Sequence, residues 1–383
     1  MLAAAAQRKR YAARRDPDPP PATASPDMPL PAAERLGDAP TARIVVEDAA
    51  AGVPAGRGAG MTRPAWVTRP YRPGSEREIV ALWNRCLVHD GVTDAAFQRK
   101  VLLDPNFHRD GARAVWSPGG DLVGFCYAVV RRVPMMGADL EPDAGWITAF
   151  FVHPEWRRRG VGRQLLEDAC GFLRDRGRRQ VWVSPYTPNY FLPGVDPDGY
   201  PEAAHLLRTL GFSVVEEPVA MARSLVGYRV PAEIDDLERR LDEQRIRVRA
   251  VAPELYVPLL DAIRSAFSED WVRAAREALQ RGADPDTLLV AVRGQDEVLG
   301  WCQVGAYDGV QNRFGPFGVL PTMRGSGIGQ VLLHRCLERM RHRGLQHVFF
   351  LWADTATAAG RLYLRAGFEV TRRFEVFRRP LAS

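Results

Sequence analysis

Two stretches of the sequence combine the residue types that bind a pyrophosphate group. Residues 152–162 are Val-His-Pro-Glu-Trp-Arg-Arg-Arg-Gly-Val-Gly, and residues 319–329 are Val-Leu-Pro-Thr-Met-Arg-Gly-Ser-Gly-Ile-Gly. Glycine lets the backbone approach a ligand, N–H groups at a helix start point at an anion, and arginine adds charge-assisted hydrogen bonds. Each stretch therefore predicts a phosphate-binding loop. A glycine-rich turn without a ligand is the alternative for one copy considered alone.

Two common nucleotide-binding motifs do not fit these loops. After Gly160 and Gly162 the sequence has Leu165, where the dinucleotide-binding motif needs a third glycine. The sequence also contains no Gly-x-x-x-x-Gly-Lys-Ser/Thr stretch, which is the signature of P-loop proteins. The loops therefore predict a different phosphorylated ligand.

The two loops belong to an internal repeat. A shift of about 167 residues keeps the loop residues and the apolar positions of the following helix in register. The matched loop residues are Val152 with Val319, Pro154 with Pro321, Arg157 with Arg324, Gly160 with Gly327 and Gly162 with Gly329. Further along, Gly211-Phe212 matches Gly367-Phe368 after an eleven-residue insertion in the first copy. The sequence therefore predicts one domain that has been duplicated.

Strand-like and helix-like segments alternate around the first loop, which favours an α/β fold with α+β layering. Ser75 and Thr93 are predicted to cap the first two helices. The predicted strands are 66–71, 112–116, 122–131, 146–152, 180–183 and 212–222, and the predicted helices are 76–87, 93–103, 160–176 and 201–210.

The combination of Val-x-Pro, Arg-x-x-Gly-x-Gly, a helix and a later Gly-Phe resembles the GNAT acyltransferase superfamily, and its duplication resembles tandem-GNAT proteins. The resemblance covers about residues 62–380. It implies two tandem domains, each a mixed, mostly antiparallel sheet flanked by helices. It also implies that the fourth and fifth strands separate and that acetyl-CoA, the acyl donor, lies in the gap. The predicted boundaries are a disordered Ala/Pro-rich tail at 1–61, one domain at 62–226 and another at 227–383.

In this family the loop amides hold the pyrophosphate of CoA, and the preceding strand end pairs with the pantetheine arm and polarises the thioester. By resemblance, the cofactor-binding residues are Phe151, Val152, Arg157, Arg158, Arg159, Gly160, Val161, Gly162 and Arg163 in the first copy, and Gly318, Val319, Arg324, Gly325, Ser326, Gly327, Ile328, Gly329 and Gln330 in the second.

The family often has a tyrosine four residues before the glycine of Gly-Phe, which protonates the departing CoA thiolate. In the second copy this residue is Tyr363, whereas the first copy has Leu207, which has no proton to give. Tyr190 and Tyr200, in the insertion of the first copy, are the alternative catalytic residues. Packing on the sheet for Tyr363, and a proline-stiffened loop for the insertion, are the purely structural alternatives.

A general base is harder to assign. Asp143, His153, Asp308 and Asp354 are candidates, and a solvent-exposed position is the alternative for each of them. If the amine binds in its neutral form, or if a base acts through a water molecule, a general base in direct contact with the amine is not needed. The Asp196 carboxylate, in the insertion, is a candidate for binding an ammonium group.

Composition restricts the class of partner. The formal net charge is +6, which favours anionic ligands, but most arginines lie beside acidic residues and no nucleic-acid-binding motif is present. Five unpaired-looking cysteines and scattered histidines predict buried thiols in a reducing cytoplasm and no metal site. No apolar run is long enough to span a membrane.

Together these features predict an N-acyltransferase that moves an acetyl group from acetyl-CoA to a primary amine of a small molecule or peptide. The second domain is the predicted catalytic one because it has both the loop and Tyr363. The alternative is a CoA-binding sensor or scaffold without turnover. The sequence identifies neither the acceptor nor the oligomeric state.

Overall fold

The computed structural model describes residues 66–137, 139–282, 284–307 and 309–381. These residues divide into two compact units, each of which is discontinuous in sequence. The first unit contains residues 66–134, 140–216 and 374–381, and the second contains residues 135–137, 139, 217–282, 284–307 and 309–373. The predicted tail, residues 1–61, lies outside the described residues.

The first unit alternates strands and helices, as the sequence predicts. Its elements are β1 (Val67–Pro70), α1 (Glu76–Cys86), α2 (Asp94–Phe97), a π-helical turn (Gln98–Leu102), a 3-10 turn (Arg109–Gly111), β2 (Ala112–Trp116), β3 (Leu122–Val129), β4 (Ala144–Val152), a 3-10 turn (Pro154–Trp156), α3 (Val161–Arg174), β5 (Gln180–Val183), α4 (Pro201–Thr209), β6 (Ser213–Glu216) and, from the end of the chain, β14 (Val376–Pro380).

These strands form one sheet in the order β1-β2-β3-β4-β5-β14-β6. Neighbouring strands are antiparallel except β4 and β5, which run parallel and pair from Ala144 with Gln180 to Ile147 with Val183. Beyond Ile147, β4 continues along β3 alone, so residues 148–152 diverge from β5. The predicted separation of the fourth and fifth strands is therefore present in the first unit.

Helices cover both faces of this sheet. Helix α1 packs on one face through Ile79 and Trp83, and α3 packs on the other. Helix α3 has an apolar face because its buried residues recur at helical spacing. These residues are Val161, Leu165, Leu166, Ala169, Cys170, Phe172 and Leu173.

Of the two predicted helix caps, Thr93 and Ser75, only Thr93 forms a capping hydrogen bond. Thr93 accepts a hydrogen bond from the N–H of Ala96 and caps α2, as predicted. Ser75 stands at the N-cap of α1, but its hydroxyl donates to the carbonyl of Arg72 and not to the helix. The predicted helix 93–103 also changes character, because α2 is continued by the π-helical turn.

The second unit repeats this pattern. Its elements are β7 (Val219–Ser224), α5 (Ala232–Glu243), β8 (Ile246–Ala250), a 3-10 turn (Pro253–Leu255), α6 (Tyr256–Ala266), α7 (Glu269–Gln280), a 3-10 turn (Pro285–Thr287), β9 (Leu288–Arg293), β10 (Glu297–Val304), β11 (Phe314–Val319), a 3-10 turn (Pro321–Met323), α8 (Ile328–His342), β12 (His347–Ala353), α9 (Ala358–Arg365) and β13 (Glu369–Arg373).

Here the strands form two sheets, β11-β10-β9-β8 and β12-β7-β13. Strands β11 and β12 approach each other at their beginnings, where Arg313 and Phe349 form a parallel bridge and the Phe349 N–H donates to the Asn312 carbonyl at 3.1 Å. They then diverge into separate sheets, as the family resemblance implies. Helix α8 covers one face of the β8–β11 sheet, while α6 and α7 cover the other.

The two repeats exchange their last strands. Strand β7 follows the first repeat in sequence but lies between β12 and β13 of the second unit. Strand β14 ends the second repeat but lies between β5 and β6 of the first unit. Residues 217–226 and 374–381 are consequently in the opposite unit from the one that a contiguous boundary at 226/227 assigns to them.

All five cysteines are buried free thiols: Cys86, Cys126, Cys170, Cys302 and Cys336. Among the described helices, none has the length and apolar character to cross a membrane.

A buried histidine in α8 makes stability depend on pH. His334 is 7% exposed and its Nδ1 lies 2.7 Å from the hydroxyl of Tyr228. Burial, together with the nearby Arg223 guanidinium, lowers the pKa of His334 from 6.5 to about 4. Below pH 6.5 the unfolded chain therefore binds a proton at this residue that the folded chain does not bind.

We expect the free energy of unfolding to decrease as the pH falls from about 6.5 to about 4. Between pH 6.5 and 5 this residue contributes a loss of at most about 2 kcal/mol. Urea unfolding at several pH values measures the effect, and His334→Asn, which keeps an acceptor but does not titrate, is expected to have a flatter profile. A profile as steep as that of the wild type would mean that another group causes the dependence.

Candidate active site

The two predicted phosphate loops have the same backbone conformation. Gly160 and Gly327 are the N-cap residues of α3 and α8, and both have φ = 92°, a left-handed value that glycine adopts without strain. The earliest hydrogen bonds inside the helices come from Gln164 to the Gly160 carbonyl and from Gln330 to the Gly327 carbonyl. In the second loop the Ile328 N–H lies 3.5 Å from the Ser326 hydroxyl oxygen. The other N–H groups at each helix start precede the first helical hydrogen bond and suit an anion.

The second glycine of each loop permits a close approach of strand and helix. A Cβ on Gly162 would lie 3.0 Å from Leu206 and 3.7 Å from Val152. A Cβ on Gly329 would lie 3.5 Å from both Phe317 and Val319 and 3.6 Å from Leu362. Each loop is therefore held against the end of the diverging strand and against the helix that follows the fifth strand of its repeat.

The loops differ in charge. In the first unit, Arg157 Nε donates to the Val152 carbonyl at 3.3 Å, and the Arg159 guanidinium lies 5.0 Å from the centroid of the Trp156 ring. Arg158 has a positive φ of 60°, and Arg163 follows in the first turn of α3.

The second unit has Arg324, and then Gly325 and Ser326, where the first has three consecutive arginines. The Ser326 hydroxyl donates to the Met323 carbonyl at 2.7 Å, which closes the loop on itself. The first loop therefore has the greater density of positive charge.

At the end of the strand that precedes each loop, main-chain groups and not side chains are available to a ligand. Phe151 is buried among Trp83 and Phe125, so only its main chain can reach a ligand beside β4. Gly318 has no side chain, and a Cβ there would lie 2.7–2.8 Å from the rings of Trp301 and Phe267. The close packing of Trp301 and Phe267 against β11 therefore explains why residue 318 is a glycine.

Tyr363 lies in a cleft between the diverging strands β11 and β12. Residues of β11, β12, α7 and α9 line this cleft, among them Trp271, Tyr307, Arg313, Phe317, Asp354 and Tyr363. The Tyr363 ring packs against four phenylalanine rings at centroid distances of 4.5–6.1 Å. Burial raises the pKa of Tyr363, with the Cys302 thiol adding to the effect, so the phenol keeps its proton at physiological pH.

The tyrosines of the first unit have different surroundings. Tyr190 is fully buried, and its carbonyl accepts a hydrogen bond from Lys100 at 3.3 Å. The Tyr200 hydroxyl donates to Asp90 at 2.7 Å and accepts from the His89 N–H at 3.2 Å. Leu207, at the position that matches Tyr363, is fully buried. The Tyr200 hydroxyl therefore has a structural partner in a buried carboxylate.

The base candidates are dispersed. Asp143 forms a bidentate ion pair with Arg179 at 2.7 Å on the surface. The two ring nitrogens of His153 lie 3.3 Å from the Glu155 N–H and 3.0 Å from Arg85. Asp354 lines the cleft that contains Tyr363, and its Oδ1 accepts from the Ala356 N–H at 2.8 Å. Asp308 lies outside the described residues, and Asp196 accepts from the N–H groups of two residues in its own loop.

Sequence reasoning did not identify the wall of the cleft opposite Tyr363. Trp271 comes from α7, Tyr307 follows β10 and Arg313 precedes β11. The Tyr307 hydroxyl donates to the buried carboxylate of Asp270 at 2.9 Å, and the Arg313 guanidinium lies 4.7 Å from the centroid of the Tyr307 ring. No local motif links these residues, because they meet only through the packing of α7 against the strands.

The chain matches the model of the Acetyltransferase (GNAT) family twice, over residues 77–193 and 256–368. With the two loops and the diverging strands, these matches show that the chain belongs to the GNAT family. It is an N-acetyltransferase with two GNAT domains in tandem, and it transfers an acetyl group to an amine. The predicted family, fold and enzyme class are confirmed.

Individual relatives match most of this chain. Mycothiol acetyltransferase of Actinosynnema mirum is 29% identical over 307 residues, which cover 77% of this chain and 93% of that protein. A GCN5-related N-acetyltransferase from Sphaerobacter thermophilus is 22% identical with a TM-score of 0.62, covering 84% of this chain and 97% of that chain. A tandem GNAT protein from the clavulanic acid biosynthesis pathway is 17% identical with a TM-score of 0.55, covering 83% and 99%. These structures share the fold.

Proposed function

We propose that the second unit catalyses acetyl transfer from acetyl-CoA and that Tyr363 protonates the departing CoA thiolate. One observation carries this assignment: Phe317 contacts both parts of the machinery. Its ring lies 6.0 Å from that of Tyr363 and 3.5 Å from the Cβ position of Gly329. The phosphate loop and the Tyr363 phenol ring therefore both adjoin the Phe317 side chain at one strand end.

The proposed reaction is a direct attack. The lone pair of a neutral amine forms a bond to the thioester carbonyl carbon, and the carbon–sulfur bond breaks. The thiolate takes the phenolic proton of Tyr363, and the proton that the new amide nitrogen loses passes to solvent, from which the phenolate recovers its own. Main-chain N–H groups at the diverging end of β11 polarise the carbonyl, while the start of α8 holds the pyrophosphate.

Asp354 is the proposed base for the amine. Its carboxylate is the only one in the described lining of the cleft, and it lies between the end of β12 and the start of α9. A carboxylate there attracts a protonated amine and can accept a proton from it.

For the first unit we propose acetyl-CoA binding without turnover. Its loop keeps both glycines and has Arg157, Arg158 and Arg159, but a buried leucine replaces the proton donor. Its insertion packs Phe191 into the core, where the ring lies 4.6 Å from that of Trp83.

The acceptor that deserves the first test is a mycothiol-related amine. The relatives matched over most of this chain are named mycothiol acetyltransferases. Release of free CoA thiol from acetyl-CoA, measured with a mycothiol-related amine and with unrelated polyamines and amino acids, tests the proposal. Faster turnover of an unrelated amine would reject a mycothiol-related acceptor.

The tyrosines of the first unit provide the test of the unit assignment. We expect Tyr190→Phe and Tyr200→Phe to keep kcat within about threefold of the wild-type value, because neither hydroxyl acts as proton donor. Tyr200→Phe should lower the free energy of unfolding by about 1–3 kcal/mol, since it removes a donor from the buried Asp90 carboxylate. A hundredfold loss of kcat in either variant would place the chemistry in the first unit.

A further inference from the structure

Gln303 is a buried side chain whose polar groups have no protein partner. It lies in β10 and is 0% exposed, and neither its Oε1 nor its Nε2 forms a hydrogen bond with any described residue. Buried amides in folded proteins nearly always have hydrogen-bond partners. A buried polar group without a partner has lost its hydrogen bonds to water and gained none in exchange, which costs free energy. An amide without partners in the core therefore requires an explanation.

The strand register places Gln303 behind the wall of the cleft. Cys302 pairs with Phe317 and Val304 pairs with Phe314, so Gly315 and Pro316 are the extra residues opposite Gln303. Both extra residues line the cleft. No atom outside the immediate chain neighbours lies within 4 Å of the Cβ position of Gly315. The segment of β11 opposite Gln303 therefore has a glycine and a proline at the cleft and no polar side chain.

The face of β10 that contains Gln303 has further unpaired donors. Side chains alternate along the strand, so Gln303 shares the α6–α7 face with Trp301, while Cys302 faces α8. The indole Nε1–H groups of Trp301 and Trp271 are also buried and have no partner among the described residues. Their rings are 5.6 Å apart, and Trp271 lines the cleft. The side chains of Gln303, Trp301 and Trp271 thus each have an N–H group without a partner among the described residues, and Gln303 also has such an amide oxygen.

We propose that Gln303 binds the acceptor. Its Oε1 accepts a hydrogen bond from the acceptor amine, and its Nε2, together with Trp271 Nε1, donates to an oxygen near that amine. The acceptor class is therefore an amine with a hydroxyl or carbonyl oxygen within two or three bonds, and not a purely alkyl amine. This inference rests on the proposed function, because it places the acceptor in the cleft of the second unit. An amide does not take up a proton, so Gln303 binds and orients without acting as a base.

The first unit supplies a matched control. Tyr127 is the residue that the repeat aligns with Gln303, at the same shift of 176 residues that aligns Phe125 with Trp301. It is also fully buried, and its hydroxyl also has no described hydrogen-bond partner. Tyr127→Phe therefore removes a comparable buried polar group from the other unit.

The experiment titrates the full chain with L-serinamide, which has oxygens beside its amine, and with sec-butylamine, an amine without oxygen. The readout is the indole N–H resonance of Trp271, assigned by its loss in Trp271→Phe. We expect L-serinamide to shift this resonance saturably in the wild type and in Tyr127→Phe, and to bind at least tenfold more weakly to Gln303→Leu. Sec-butylamine should bind the wild type and Gln303→Leu equally weakly.

Unchanged binding of L-serinamide to Gln303→Leu, absence of binding to the wild type, or equal binding of the two amines would overturn the inference. A purely structural Gln303 would lower the melting temperature when replaced, whereas removal of an unpaired buried amide should leave it equal or higher. If Gln303→Leu does not fold, Gln303→Met, which has a similar length, replaces it. Loss of L-serinamide binding in Gln303→Leu, combined with full kcat in Tyr363→Phe, would reject the proposed proton donor and leave this inference standing.

Discussion

Tyr363→Phe is expected to lower kcat by about 10²–10⁴-fold, because it removes the proton that the departing thiolate needs. Phenylalanine keeps the ring that packs among Phe314, Phe317, Phe350 and Phe368, so the melting temperature and the affinity for acetyl-CoA should hardly change. Steady-state kinetics with a thiol reagent, together with calorimetry for acetyl-CoA, separate the two effects.

The pH dependence of the wild type gives a second check on this tyrosine. Burial raises its pKa, so its ionisation should not limit kcat at pH values up to about 9. The matched controls are Tyr190→Phe and Tyr200→Phe in the first unit. If kcat of Tyr363→Phe stays within threefold of the wild-type value, Tyr363 is an aromatic anchor and another group protonates the thiolate.

Gly329→Glu is expected to abolish turnover and to remove one acetyl-CoA site from each chain. A glutamate at this position puts a carboxylate at the helix start that is proposed to hold the pyrophosphate, and like charges repel there. Gly162→Glu should remove the other site and leave most of the turnover. Calorimetry should thus find two sites in the wild type and one in each variant.

Gly329→Ala distinguishes charge from bulk. The Cβ at residue 329 would make ordinary contacts of 3.5–3.6 Å with Phe317, Val319 and Leu362, so the alanine variant should fold and keep its acetyl-CoA site. Two sites remaining in Gly329→Glu would show that the second loop does not bind CoA. Loss of turnover in Gly162→Glu alone would move catalysis to the first unit.

The loops and the separation of the strands could be predicted because local chemistry specifies them. Gly160 and Gly327 must adopt a left-handed φ, and the apolar spacing after them defines an amphipathic helix. Duplication then strengthened both assignments, since each copy places the same residue types in the same order. The ends of the predicted helices 76–87, 160–176 and 201–210 were accurate to within one or two residues.

The exchange of β7 and β14 could not be predicted in this way. Each segment has the residue pattern of a strand, but its partner is chosen by tertiary packing and not by its own sequence. The wall formed by Trp271, Tyr307 and Arg313 was missed for a related reason. These residues are far apart in sequence, and nothing in their local context marks them as neighbours of Tyr363.

Ribosomal synthesis delivers the strands of this protein in an order that differs for the two units. Strand β14 is made last, so β5 and β6 of the first unit keep unpaired edges until almost the whole chain has emerged. Strand β7 of the second unit is synthesised before the other strands of that unit. Both sheets of the second unit can therefore form before β14 is synthesised. Although the N-terminal repeat is translated first, its unit is therefore the last to be finished, and a gene cut between the repeats would yield two fragments that each carry the other's strand.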